Sequence, residues 1–218
     1  MIDKIKQKIN SIVGESTEKP NGKRIILIDP GSIEEELLGE APEELRVIGL
    51  FSDVHEEKIA ELVHALLFLD KSNDGVPEDK QLPIEFYLST YGGNADDMFA
   101  LYDVMKNIQS QTEIHTIGLG KVMSAGVLLL AAGTKGKRKI GKNCRVMLHS
   151  VIAGNHGSLH NLINEMEAVE QLQKMYIDAL LEETKMTQSQ LKKMLERKVN
   201  VYLSAEEAVK LGIADIII

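Results

Sequence analysis

Short β-type runs alternating with helix-length amphipathic segments are the feature that most narrows what this chain can fold into. Residues 46–51, 84–89, 114–119 and 145–150 are apolar, β-branched runs of strand length. The segment 55–70 between the first two places Ile59, Leu62, Val63, Leu66 and Leu67 on one helical face. Residues 94–109 and a segment starting at Ser124 read as further helices. Strands separated by helices imply parallel units with right-handed crossovers, and hence an α/β fold. The aromatic content supports this, with four Phe, five Tyr and no Trp beside abundant Ala, Leu, Ile and Val. Such an aliphatic core suits helices packed on a sheet.

The two ends read differently. Residues 1–13 carry Ile2, Ile5, Ile9 and Ile12 at helical spacing among lysines, and 14–24 (GESTEKPNGKR) reads as a linker. Residues 1–24 are therefore expected to be an N-terminal extension, helical or a gate, ahead of one domain over 25–218. In that domain Ile25 to Ile28 predicts a strand, 29–31 a turn, and Ser32 with Glu35 a capping box. A polar surface loop is expected over 72–81. Residues 160–184 predict an unusually long, polar-surfaced helix that projects or packs between subunits. Helices at 187–197 and 204–211 and a strand in the closing IADIII complete the pattern.

Charge and cysteine usage exclude several classes. A net charge of −8 offers no electrostatic footprint for nucleic acid. The most apolar stretch, 122–132, is too short to cross a bilayer, and the lysine-rich start leads into no secretory apolar run. Cys144 alone forms no internal disulfide and no cysteine-based metal site, which points to a reducing cytoplasm. No metal or cofactor is expected.

Three features carry chemistry. Ser124, in GKVMSAGVLLLAAG, stands where a strand turns abruptly into a buried helix. There the macrodipole and unpaired N–H groups favour an alkoxide and a developing oxyanion. As a lone serine it would be an N-cap. His149 ends RVMLHS, on the strand face shared by Arg145 and Met147 and opposite Val146 and Leu148. Gly92-Gly93, after the strand IEFYLS, permits close backbone approach and outward N–H groups.

Together these motifs resemble the Clp protease proteolytic subunit family. The matching segments are YLSTYGG (87–93), GKVMSAGVLLLAAG (120–133), RVMLH (145–149), AGNHG (153–157) and YLSAEEAVKLGIAD (202–215). The resemblance implies a ClpP/crotonase-like spiral of repeated ββα units with a projecting handle helix. It assigns Ser124 as nucleophile, His149 as general base, and the N–H groups of Gly93 and Ala125 as the oxyanion hole. Val151, Ile152, Ala153 and Gly154 match the strand that holds substrate by β-addition. The implied assembly is two stacked seven-membered rings that enclose the sites and admit unfolded polypeptide. An AAA+ unfoldase would be the partner, and ATP would be used by that partner alone.

The family's third catalytic residue is an aspartate, and Asn200 stands at its position. No Asp occurs between Asp178 and Asp215, and Glu196 is the lesser substitute. An amide can orient a histidine through its carbonyl oxygen but brings no charge to the imidazolium. A weak peptidase is expected on that ground. Tyr91 also replaces the proline usual before the glycines, and Glu85 and Asn107 replace aromatics of the unfoldase-docking face. A catalytically impaired ring subunit beside an active paralogue, and a crotonase-type acyl-CoA enzyme, are the competing readings.

Overall fold

The computed structural model describes residues 45–195 and 199–218. The expected extension, the 25–28 strand, the turn after it, the Ser32 cap and Glu196 lie outside those residues. In chain order the elements are β1 (Val47–Leu50), α1 (Glu56–Lys71), β2 (Ile84–Thr90), α2 (Ala95–Ile108), β3 (Ile114–Met123), α3 (Ala125–Ala131), β4 (Lys139–Ile140) and β5 (Arg145–Leu148). They continue with α4 (Leu159–Glu183), α5 (Gln188–Leu195), β6 (Val201–Leu203), α6 (Ala205–Lys210) and β7 (Ile216–Ile217).

The expected α/β alternation is present, and the sheet runs β1-β2-β3-β4-β7 with every neighbouring pair parallel. One strand makes the fold a spiral. β3 is longer than the 114–119 run predicted, because it passes through Gly120 and continues to Met123. Its first half pairs β4 at Ile117 and Gly118, while its second half leaves for β5, pairing Lys121–Met123 with Arg145–Met147. β6 then joins β5 antiparallel, an arrangement that a purely parallel reading does not contain. β3 thus changes partner along its length, and Ser124 follows its second half while His149 follows β5.

All seven residues of α3 are buried, as a helix apolar on every side requires. Around it, α1 and α2 present Ile59, Leu62, Leu66, Met98, Leu101 and Met105 to the same core. By contrast α4 spans 25 residues and buries only Tyr176, Ala179, Leu180 and Glu183, all in its last turns. At about 1.5 Å per residue its length is roughly 37 Å, so its first half projects as the expected handle.

The root of that handle is fixed by charge. Glu183 is 1% exposed and accepts from the Tyr102 hydroxyl at 3.0 Å. It pairs with Lys106 at 2.8 Å and with Lys135. Burial alone would raise its carboxyl pKa, but the two ammonium groups override that and hold it below the ordinary 4.5. The Lys135 ammonium is likewise held below its ordinary value, first by burial and then by Arg138 and Lys106, against the pull of Glu183, so its charged form is disfavoured where that of Glu183 is favoured. The contrast follows from numbers: one anion serves several crowded cations. Because the folded pKa of Glu183 is depressed, its contribution is complete above 4.5 and is lost as pH falls through the folded value. Glu183→Gln is expected to cost about 1–3 kcal/mol at neutral pH, read as a lower urea midpoint, with the deficit shrinking below pH 4. A variant as stable as the parent at pH 7 would contradict this.

Candidate active site

β3 ends at Met123 and α3 begins at Ala125, so Ser124 alone makes the turn between them. Its backbone lies at φ 52°, ψ −122°, and it is the only non-glycine residue with positive φ among the described residues. Strain of this kind costs about 1–3 kcal/mol and survives only where the surroundings enforce it. The enforcing contacts are visible. The Ser124 N–H donates to the Met147 carbonyl at 2.8 Å, which extends the β3–β5 ladder into the turn. The Ser124 carbonyl accepts from the Val127 N–H at 3.0 Å and from the Tyr176 hydroxyl at 3.0 Å. Burial raises the Tyr176 pKa, so the phenol stays a donor. The Ser124 hydroxyl itself makes no capping bond. A serine that begins a helix without capping it has its oxygen left for other work.

The double glycine lies against this elbow. A β-carbon on Gly92 would come within 2.6 Å of Ser124 Cβ and 3.0 Å of the Ala125 nitrogen. The same segment forms a parallel bridge with Val54, in which the Val54 N–H donates to the Gly92 carbonyl (2.7 Å) and the Asn94 N–H to the Val54 carbonyl (2.9 Å). In extended chain alternate residues aim their polar groups at opposite edges. With 92 and 94 committed to Val54, the Gly93 N–H points away from Val54. The Thr90 hydroxyl accepts from the Gly92 N–H at 3.0 Å and stiffens the turn.

His149 follows the last residue of β5 and is half-buried. Its Nδ1 lies 2.5 Å from the Ser150 carbonyl. A carbonyl only accepts, so Nδ1 carries the proton and Nε2 keeps the lone pair a base needs. Ser124, His149, Gly93, Ala125, Val151, Ile152 and Ala153 all line one cleft of about 430 Å³. Serine and imidazole share that cleft without a hydrogen bond between them, a contact that in serine enzymes often tightens only with substrate.

Two expected residues stand apart. Gly154 is exposed beyond the cleft lining. Asn200 is exposed one position past the Leu148–Val201 pair, so the ladder's register sets it opposite His149, with no hydrogen bond between them. Sequence reading missed the support from α4. Besides Tyr176, Gln173 accepts from the Val151 N–H at 2.6 Å and anchors the segment after the histidine. The signal was available: Val169, Leu172, Gln173 and Tyr176 form an i, i+3, i+4, i+7 stripe on the otherwise polar handle. Among the described residues no group of three or more His, Cys, Asp or Glu side chains is placed to hold a metal ion. No helix there is long and apolar enough to cross a membrane.

Comparison with known proteins identifies the family. A family model described as Clp protease covers residues 37–218. The "ATP-dependent Clp protease proteolytic subunit" of Deinococcus radiodurans is 34% identical over 173 residues, which is 79% of this chain and 80% of that protein. The "ATP-dependent Clp protease proteolytic subunit 1" of Leifsonia xyli is 33% identical over 170 residues, 78% of this chain and 81% of its own. Its namesake from Prochlorococcus marinus strain MIT 9312 is 31% identical over 173 residues, 79% and 84% of the two chains. By fold and by these likenesses the chain belongs to the Clp protease family, and its enzyme class is that of a serine-type proteolytic subunit.

Proposed function

We propose that this chain cleaves unfolded polypeptides and short peptides through Ser124 and His149, inside a chamber formed by two stacked seven-membered rings in the cytoplasm. One observation carries the reading: Ser124 holds φ 52° in a turn one residue long, its hydroxyl uncapped, in the same cleft as His149. His149 Nε2 takes the hydroxyl proton as Oγ attacks the peptide carbonyl. The N–H groups of Gly93 and Ala125 receive the oxyanion, and the imidazolium then returns its proton to the leaving amine. Water, activated by the same ring, releases the acyl group. Substrate would add as a strand along Val151–Gly154, held by main-chain bonds that ignore side-chain identity. The proteolytic-subunit relatives are named as ATP-dependent. ATP would act through an AAA+ unfoldase partner, with no cofactor in this subunit. The direct test is mass spectrometry after fluorophosphonate treatment. One adduct per subunit at Ser124 is expected, with the native mass of the same sample reporting the rings. An unlabelled protein that hydrolyses no peptide would instead support the impaired-subunit reading, which the exposed Asn200 favours.

The Nδ1 proton of His149 rests on a main-chain carbonyl, so Asn200 need not select the tautomer. Asn200→Ala is therefore expected to lower kcat less than tenfold, and Asn200→Asp to raise it about tenfold by adding charge beside the imidazolium. A large fall in the aspartate variant would defeat this account of position 200.

A further inference from the structure

The strands that lead to Ser124 and His149 carry two cations whose role nothing above requires. Lys121 and Arg145 are register partners on β3 and β5, so their side chains stand side by side. Alternation along each strand puts Lys121 on the face of Met123, next to Ser124, and Arg145 on the face of Met147 and His149. Each cation lies on a tyrosine: Lys121 Nζ is 4.6 Å from the centre of the Tyr91 ring, and the Arg145 guanidinium 4.8 Å from that of Tyr202. Tyr91 also lines the catalytic cleft. Among the described residues no carboxylate lies within ion-pair distance of either cation. In a chain with 33 acidic and 25 basic residues, two adjacent cations without an anion are conspicuous.

We propose that Lys121 and Arg145 form a subsite for an acidic side chain of the bound peptide. The inference rests on the peptidase reading and extends it to substrate class. Ring stacking holds both cations against the sheet, so less rotamer entropy is lost when an anion arrives. Lys121 lies three residues before Ser124 and Arg145 four before His149, or roughly 10–13 Å at about 3.3 Å per residue. An extended peptide covers that span in three or four residues. The favoured substrates therefore carry Glu or Asp three or four residues from the scissile bond. Charge complementarity selects this occupant.

The test uses internally quenched peptides that differ only in Glu or Gln three and four residues from the cleaved bond, with the cut mapped by mass spectrometry. A Glu-over-Gln ratio in kcat/KM of about three- to tenfold is expected at low salt. It should shrink toward one in 1 M salt, where the Debye length is about 3 Å. In Lys121→Gln/Arg145→Gln the ratio should also collapse toward one. A ratio of one in the parent, or a ratio unchanged in the double variant, overturns the subsite. So does a double variant whose rings dissociate by native mass, since the cations would then serve contact between copies. Fluorescein-labelled versions of the same peptides, titrated into Ser124→Ala protein, separate the two layers of inference. Preferential binding of the Glu peptide with no cleavage by the parent upholds the subsite and sinks the peptidase. Equal cleavage of both peptides does the reverse.

Discussion

Ser124→Ala is expected to lower kcat on a fluorogenic peptide by about 10⁴–10⁶ and to abolish fluorophosphonate labelling, with little change in thermal midpoint. The activity loss follows from removing the atom that would form the acyl-enzyme. The stability forecast follows from local structure. The serine hydroxyl makes no capping bond, so its loss orphans no partner. The contacts that hold the turn, to Met147, Val127 and Tyr176, all use main-chain atoms of residue 124 and persist in alanine. Alanine meets the same φ of 52° with the same β-carbon. His149→Ala should cost a similar factor, and the double variant should be no worse than either single one, because the two groups act in one step. Additive losses would show that they do not work as a unit. Labelling that persists in Ser124→Ala would place the nucleophile elsewhere.

Much of the arrangement was legible in the chain because the decisive signals are local. The run from Gly120 to Gly133 has only one polar residue at the strand-to-helix junction, and a helix apolar on every side must be buried. The polar residue just before that helix is Ser124, and it is half-buried at the junction. His149 was readable from strand alternation, since β5 keeps the expected face for Arg145 and Met147. What sequence did not reveal depends on long-range partners. The extension of β3 past Gly120 and its change of partner from β4 to β5 are tertiary events. β6 runs antiparallel because Leu203 pairs with Val146, a contact 57 residues away in sequence that no local period encodes. Gln173 and Tyr176 were hidden differently. They sit on a helix whose polar surface argued for projection, and only its last turns dock. Position 200 could not be weighed from sequence alone, because the Ser150 carbonyl that holds the His149 Nδ1 proton is a main-chain group that no residue identity encodes.

Gly93→Ala is expected to lower kcat by about 10²–10³ while leaving the native mass unchanged. Two effects meet at this residue. Its φ is +150°, and a β-carbon would fall 2.2 Å from the Val54 carbonyl oxygen and 2.8 Å from the Val54 nitrogen. Those are main-chain atoms in a bridged segment, so the neighbour cannot swing aside as a flexible side chain would. The glycine must move instead, taking its N–H away from the position of the oxyanion. A shift of about 1 Å is enough to cost 10² when geometry is preorganised. Backbone strain alone should do much less, and Gly75→Ala separates the two effects. Gly75 also has positive φ, at 78°, but nothing lies within 4 Å of its missing β-carbon. That variant should lose about 1 kcal/mol of stability and almost no kcat. If the mechanism is right, Gly93→Ala falls mainly in kcat, reacts slowly with fluorophosphonate, and still binds labelled peptide. A Gly93→Ala enzyme no slower than Gly75→Ala would show that the N–H at 93 does not stabilise the transition state.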